Sequence, residues 1–227
     1  MSVDLFRGAG APVPDYRAAP ARIAVSRVLG VASIASYNWW IGVLLGTHLL
    51  TSPNGFFSDL EAVGQPHAAL LSALDVAAGV LLVAALLLRG RDGPDGPRPE
   101  WSWLVLFAAA GTVGGLFPYQ CPEGVSAACR SAEWHLQLPW PHYVHIVAGI
   151  VEFASATLAV LAARRRTTGQ TDVVGSVVRG LGWVLVVAYP LLAVSYLTDR
   201  LGAFVEPVFF VSFSVMVVVE LFEPQRA

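Results

Sequence analysis

Six long apolar stretches, each near the length of a bilayer-crossing helix, take up most of the chain. They cover roughly residues 28–50, 66–88, 101–118, 142–163, 177–197 and 203–222. A spanning helix needs about 20 mainly apolar residues, and only helices or closed barrels satisfy the backbone in hydrocarbon. The chain therefore reads as an all-α polytopic membrane protein, a bundle of six transmembrane helices. Charged residues make up only 13% of its 227 positions, against about 25% in soluble domains. A net charge of −2 excludes a basic nucleic-acid binder, so no nucleic-acid partner is expected.

The arginines orient the bundle. Arginine in short loops marks the cytoplasmic side. Eleven of the fourteen fall before the first stretch, between the second and third, between the fourth and fifth, or after the sixth, and a twelfth, Arg179, lies at the near end of the fifth, leaving only Arg130 and Arg200 opposite. Both termini are thus expected in the cytoplasm, with a tail at 1–27, a membrane domain at 28–222 and a short tail at 223–227. The first 27 residues hold four arginines and three prolines and no apolar run, so the first span should act as an uncleaved signal anchor. There is no lysine at all. That usage suggests a GC-rich bacterial genome, and hence a bacterial cytoplasmic membrane.

Two outward loops carry distinctive residues. Residues 51–65 include a Pro53-Asn54-Gly55 turn and Phe56-Phe57, and read as a folded lid in which Ser58 or Asp59 caps a short helix. The second holds the only cysteines, Cys121 and Cys129, in C-x7-C spacing. Outside the cytoplasm a disulfide is the default; the spacing fits neither a zinc motif nor a C-x-x-C redox pair.

Ionisable groups within spans are costly and point to function or to a named partner. His67 and Asp75 share one face of the second span, and His142, His145 and Glu152 share one face of the fourth. Each stripe starts Pro-His and reaches its acid about 12–15 Å deeper. The two spans are therefore expected to be neighbours, with the acids at equal depth. Asp75, Glu152 and Asp59 are the candidate catalytic groups. His67, His142 and His145 are candidate ligands for a metal, zinc if any. A structural polar network and a metal-free acid/base or proton-relay site remain open alternatives. Glu220, near the cytoplasmic exit, is expected to tolerate neutralisation, and Asn38 to join helices. Gly42-x-x-x-Gly46 and Gly111-x-x-x-Gly115 are close-packing patterns.

Asn38-Trp39, Ser58-Asp59-Leu60, Gly64-Gln65-Pro66-His67, Asp75-x-x-Ala-Gly79, Phe117-Pro118, the two cysteines and His142 with His145 together resemble an actinobacterial family of integral membrane proteins. It is defined by domain of unknown function number 998. The resemblance implies six spans and no settled activity. A looser likeness, to the alkaline ceramidase and progestin-receptor-like superfamily, implies metal-dependent amidase chemistry, although this chain has H-x-x-H rather than H-x-x-x-H. Two functions compete. One is a membrane-embedded enzyme acting on a lipid or isoprenoid, as a hydrolase or an acid/base isomerase or cyclase. The other is a non-enzymatic membrane protein: a small transporter, a proton-coupled component or a partner scaffold. An enclosed cavity reaching from the outer loops to Asp75 would favour the first, or a binder; a dry, fully paired cluster would mean structure alone.

Overall fold

The computed structural model describes residues 20–42, 54–93, 96–169 and 172–223. Expectations for most of the first tail, residues 43–50 of the first span, including Gly46 and His48, residues 51–53 of the lid and nearly all of the last tail fall outside that range. The fold is helical, with α1 (Pro20–Tyr37), α2 (Ala68–Arg89), α3 (Pro99–Leu116), α4 (Ala127–Trp134), α5 (Trp140–Arg166), α6 (Val173–Thr198) and α7 (Gly202–Phe222). A two-residue ladder pairs β1 (Asp92–Gly93) antiparallel to β2 (Gly96–Pro97) and closes the turn between α2 and α3. Among the described residues four helices, α2, α5, α6 and α7, are long and apolar enough to cross a membrane. α1 carries Arg22 and Arg27, and α3 has 18 residues with Glu100 in its first turn.

Helix ends follow local chemistry. Asp172 caps α6 by accepting from the Gly175 amide at 2.9 Å, and Ser126 caps α4 by accepting from Cys129 at 3.2 Å. Only three residues join α6 to α7, two of them, Asp199 and Leu201, in the left-handed region (φ 55° and 64°). That reversal makes a tight hairpin of α6 and α7.

α1, α2, α3, α5, α6 and α7 run alternately between two ends of the bundle. One end is rich in arginine; the other carries the 54–61 segment and the cysteines. α3 packs against both α2 and α5. Small residues permit this: a Cβ added at Gly115 would sit 2.7 Å from the Ser72 carbonyl oxygen, and one at Gly79 would overlap Ala108 and Thr112. Gly42 has open space around its Cβ position and does no such work. Asn38 Nδ2 donates to Ser214 Oγ at 2.7 Å and ties α1 to α7.

At the arginine end, Arg166 meets Glu100 at 3.0 Å, Glu220 at 2.7 Å and Glu223 at 3.0 Å, joining α3, α5 and α7. Arg89 donates to the Leu221 carbonyl at 2.6 Å. Glu220 is buried and ion-paired. It is not the cheap exposed charge expected of a residue near a span's exit.

Candidate functional site

At the opposite end a cavity of about 410 Å³ opens among α1, the 54–61 segment, α2, α3, α5, α6 and α7. Its walls are largely apolar and aromatic, with Phe56, Phe57, Phe153 and Phe210 among them. Asp75, His145 and Glu152 line it, as do Glu61, Tyr37 and Glu206.

Four of its acids arrive from four separate elements, and a fifth, Glu123, comes from the cysteine loop. Asp75 comes from α2 and accepts a hydrogen bond from Trp39 Nε1 at 2.8 Å. Glu61 comes from the Phe57–Glu61 3-10 turn, and its carboxyl reaches the Asp75 carboxyl. Burial, with Asp75 beside it, holds the Glu61 carboxyl well above the usual carboxylate range. Two carboxyls in hydrogen-bond contact need one proton between them, so the pair shares one, and Asp75 also accepts from Trp39. Glu152 reaches in from α5 past Gly111: a Cβ there would lie 3.0 Å from Glu152 Oε1. The Tyr37 hydroxyl lies beside Glu152. Glu206, on α7, accepts from the Phe57 amide at 2.6 Å and pins the 54–61 segment down.

α2 and α5 converge on this cavity, but α3 stands between them, where direct neighbours were expected. The glycine face of α3 leaves the gap in which the two acids approach. A second space of about 20 Å³ touches Asp75, Glu152 and Tyr37 from the arginine side, enough for one water.

The other expected site residues lie elsewhere. His67 has φ 65° and precedes the first helical residue, Ala68, so it is out of phase with Asp75. His142 is fully buried. Its Nδ1 accepts from the Gln120 amide at 3.2 Å, so Nε2 carries the hydrogen and donates to Glu133 Oε2 at 2.8 Å. That uses both ring nitrogens within the cysteine loop. His145 does line the cavity. Its Nδ1 donates to the Gly114 and Phe117 carbonyls at 2.9 and 3.1 Å, which leaves Nε2 as an acceptor. Among the described residues no three His, Cys, Asp or Glu side chains are grouped to hold a metal ion.

Asp59 caps no helix from outside; it sits inside the 3-10 turn. It accepts from the Phe56 amide at 2.9 Å and the Gly124 amide at 3.3 Å, bolting this segment to the cysteine loop. Gly124 is required there, since a Cβ would collide with Asp59 and Gly55. Cys121 and Cys129 are placed compatibly with a disulfide, their Cα atoms 6.0 Å apart.

Charges around the cysteine loop set a pH dependence. Burial pushes the Asp59 carboxyl up to about 6, against the two amides. Burial pushes Glu123 up to about 8, Glu133 adding to it and Arg130 opposing. Burial also works to raise Glu133, but hydrogen bonds from His142 and Tyr196 outweigh it and hold it below its ordinary value. A carboxyl whose folded value is raised contributes stability present below its ordinary value and lost as pH rises through the folded one. For Glu123 that window runs from 4.5 to about 8. Melting temperature in detergent is therefore expected to fall as pH rises across it, and Glu123→Gln should flatten the fall. An unchanged profile in that variant would exclude Glu123 as the cause.

The cavity reaches the outside of the bundle between α5 and α6. These helices touch closely near the arginine end, where a Cβ on Gly182 would lie 3.4 Å from Val160. Toward the other end both helices line the cavity. Ile150 (54% exposed) and Leu197 (60% exposed) line it and also face outward.

A family model described as Protein of unknown function (DUF998) matches residues 28–222. No curated protein and no solved structure matches the chain.

Proposed function

The chain belongs to the DUF998 family of proteins of unknown function, and on that premise we propose a membrane-embedded acid/base enzyme that acts on a lipid or isoprenoid. In this reading the bundle spans the bacterial cytoplasmic membrane six times, with both termini in the cytoplasm and tails at 1–27 and 223–227. The arginine distribution supports that orientation. It puts the cavity in the outer half of the bilayer, and external placement supports a Cys121–Cys129 disulfide.

The observation that carries the proposal is the Glu61–Asp75 carboxyl pair on the wall of an apolar cavity with exposed apolar residues at its α5–α6 edge. A proton-holding carboxyl facing an apolar chamber suits proton transfer to a carbon–carbon double bond. The pair gives its proton to one alkene carbon, and the neighbouring carbon becomes electron-deficient. Glu152 removes a proton from an adjacent carbon, and a shifted double bond forms. The proton returns from Glu152 to the pair through the small space between Asp75 and Glu152. The substrate is isomerised without oxidant or second reactant. His145 Nε2 and Tyr37 are placed to hold a substrate hydroxyl. Asp59 and His142 keep supporting roles, bolting the segment and the cysteine loop.

Purified protein in neutral micelles, incubated with bacterial lipid extract in heavy water, tests this. Mass spectrometry is expected to find one isoprenoid or lipid gaining deuterium at carbon. Deuterium in no lipid, with the bound lipid recovered unchanged, would favour the alternative of a non-enzymatic binder or transporter component.

A further inference from the structure

We propose that the cavity selects a positively charged amphiphile, its apolar chain lying in the α5–α6 gap and an ammonium head set against Glu61, Asp75, Glu152 and Glu206. The inference takes this cavity as the working site, as the proposed function does, but needs no bond to be made there.

Five carboxyl groups line the cavity: Glu61, Asp75, Glu152 and Glu206 from the 54–61 segment, α2, α5 and α7, and Glu123, which is paired with Arg130; among the described residues no arginine lines it. His145 spends its Nδ1–H on backbone carbonyls and turns an acceptor to the space. Glu61 is 4% exposed, and its Oε2 has no hydrogen-bond donor among the described residues. The Tyr37 hydroxyl lies beside Glu152. A buried oxygen like that of Glu61 normally finds a partner, so it marks where a ligand belongs. A phosphate or carboxylate head would face acids with no compensating cation. A hydroxyl head would supply one hydrogen bond. An ammonium supplies charge to several oxygens at once, in a medium where water screens little. The size suits a head group and the first part of a chain. The same preference fits the proposed chemistry, whose electron-deficient carbon is mimicked by a quaternary nitrogen.

Isothermal titration in neutral maltoside micelles, corrected for protein-free micelles, tests the proposal with three probes of equal chain length: octyltrimethylammonium, octanol and octanoate. Wild type is expected to bind the ammonium at least about tenfold tighter than the alcohol, a difference of about 1.4 kcal/mol, and octanoate weakest. In Asp75→Asn/Glu152→Gln the ammonium-to-alcohol ratio should fall to within about twofold while the alcohol still binds, which reports an intact cavity. Glu206→Gln alone gives a milder second variant. Equal binding of ammonium and alcohol by wild type would overturn the proposal, as would a cation preference that survives in both variants. Cation preference without lipid turnover upholds this inference and sinks the enzyme reading; turnover without cation preference does the reverse.

Discussion

Asp75→Asn is expected to cut deuterium incorporation into the lipid by at least about 100-fold, the usual worth of a positioned acid or base, while the protein still inserts and folds. The replacement keeps the side-chain shape and an oxygen for Trp39 Nε1, whose bond to Asp75 is 2.8 Å. It removes the carboxylate that exchanges a proton with Glu61. Glu61→Gln should cost about as much, because the pair works as one unit. The double variant should then be little worse than either alone. Comparable melting temperatures would show that chemistry, not folding, was lost. Turnover within about threefold of wild type in Asp75→Asn would remove the pair from the mechanism, whatever the cavity binds.

The second large effect concerns stability at the other end of the bundle. Arg166→Met is expected to destabilise the fold by about 3 kcal/mol, since breaking a buried ion pair strands its partners. Three carboxylates, Glu100, Glu220 and Glu223, would then face one another without their guanidinium. Glu100 and Glu220 have side chains only 1% and 6% exposed, so water cannot make up the loss. Adding Glu220→Gln to Arg166→Met should recover part of it by removing one repelling charge. Glu220→Gln alone should cost about 1 kcal/mol, because Arg166 keeps two acids. Unfolding titrations in mixed micelles measure these differences. An Arg166→Met protein within about 0.5 kcal/mol of wild type would mean that these charges stay hydrated.

How far the sequence could be read follows from what periodicity can see. Helical spacing placed Asp75, His145 and Glu152 correctly on inward faces, and all three line the cavity. It failed at His67 because that residue is not helical: the chain turns at φ 65° and α2 starts one residue later. The two Pro-His starts look alike in sequence, yet Pro141-His142 lies inside α5 and Pro66-His67 lies before α2. It failed at His142 because the partner, Glu133, comes from α4 in the cysteine loop, and sequence spacing carries no information about a loop folding back. Spacing gives no sign of Glu61 for the same reason. It reaches Asp75 only because Glu206 and Asp59 pin the 54–61 segment into the bundle. The Gly111 pattern was legible as close packing. Its second use, making room for the Glu152 carboxyl, depends on which helix α3 faces at that level.

The segment above the cavity is fastened by Asp59 to Gly124 and by Phe57 to Glu206, whereas the exposed apolar residues Ile150 and Leu197 border its side. In the proposed membrane placement, a molecule using that side never passes through bulk water. Its encounter rate is set by how many copies share the surrounding leaflet and how fast they diffuse in two dimensions. Apparent affinities would then be mole fractions of the bilayer, and inert lipid would act as a diluent. Solubility in water, which limits most small-molecule sites, would have no bearing on how often this one is filled.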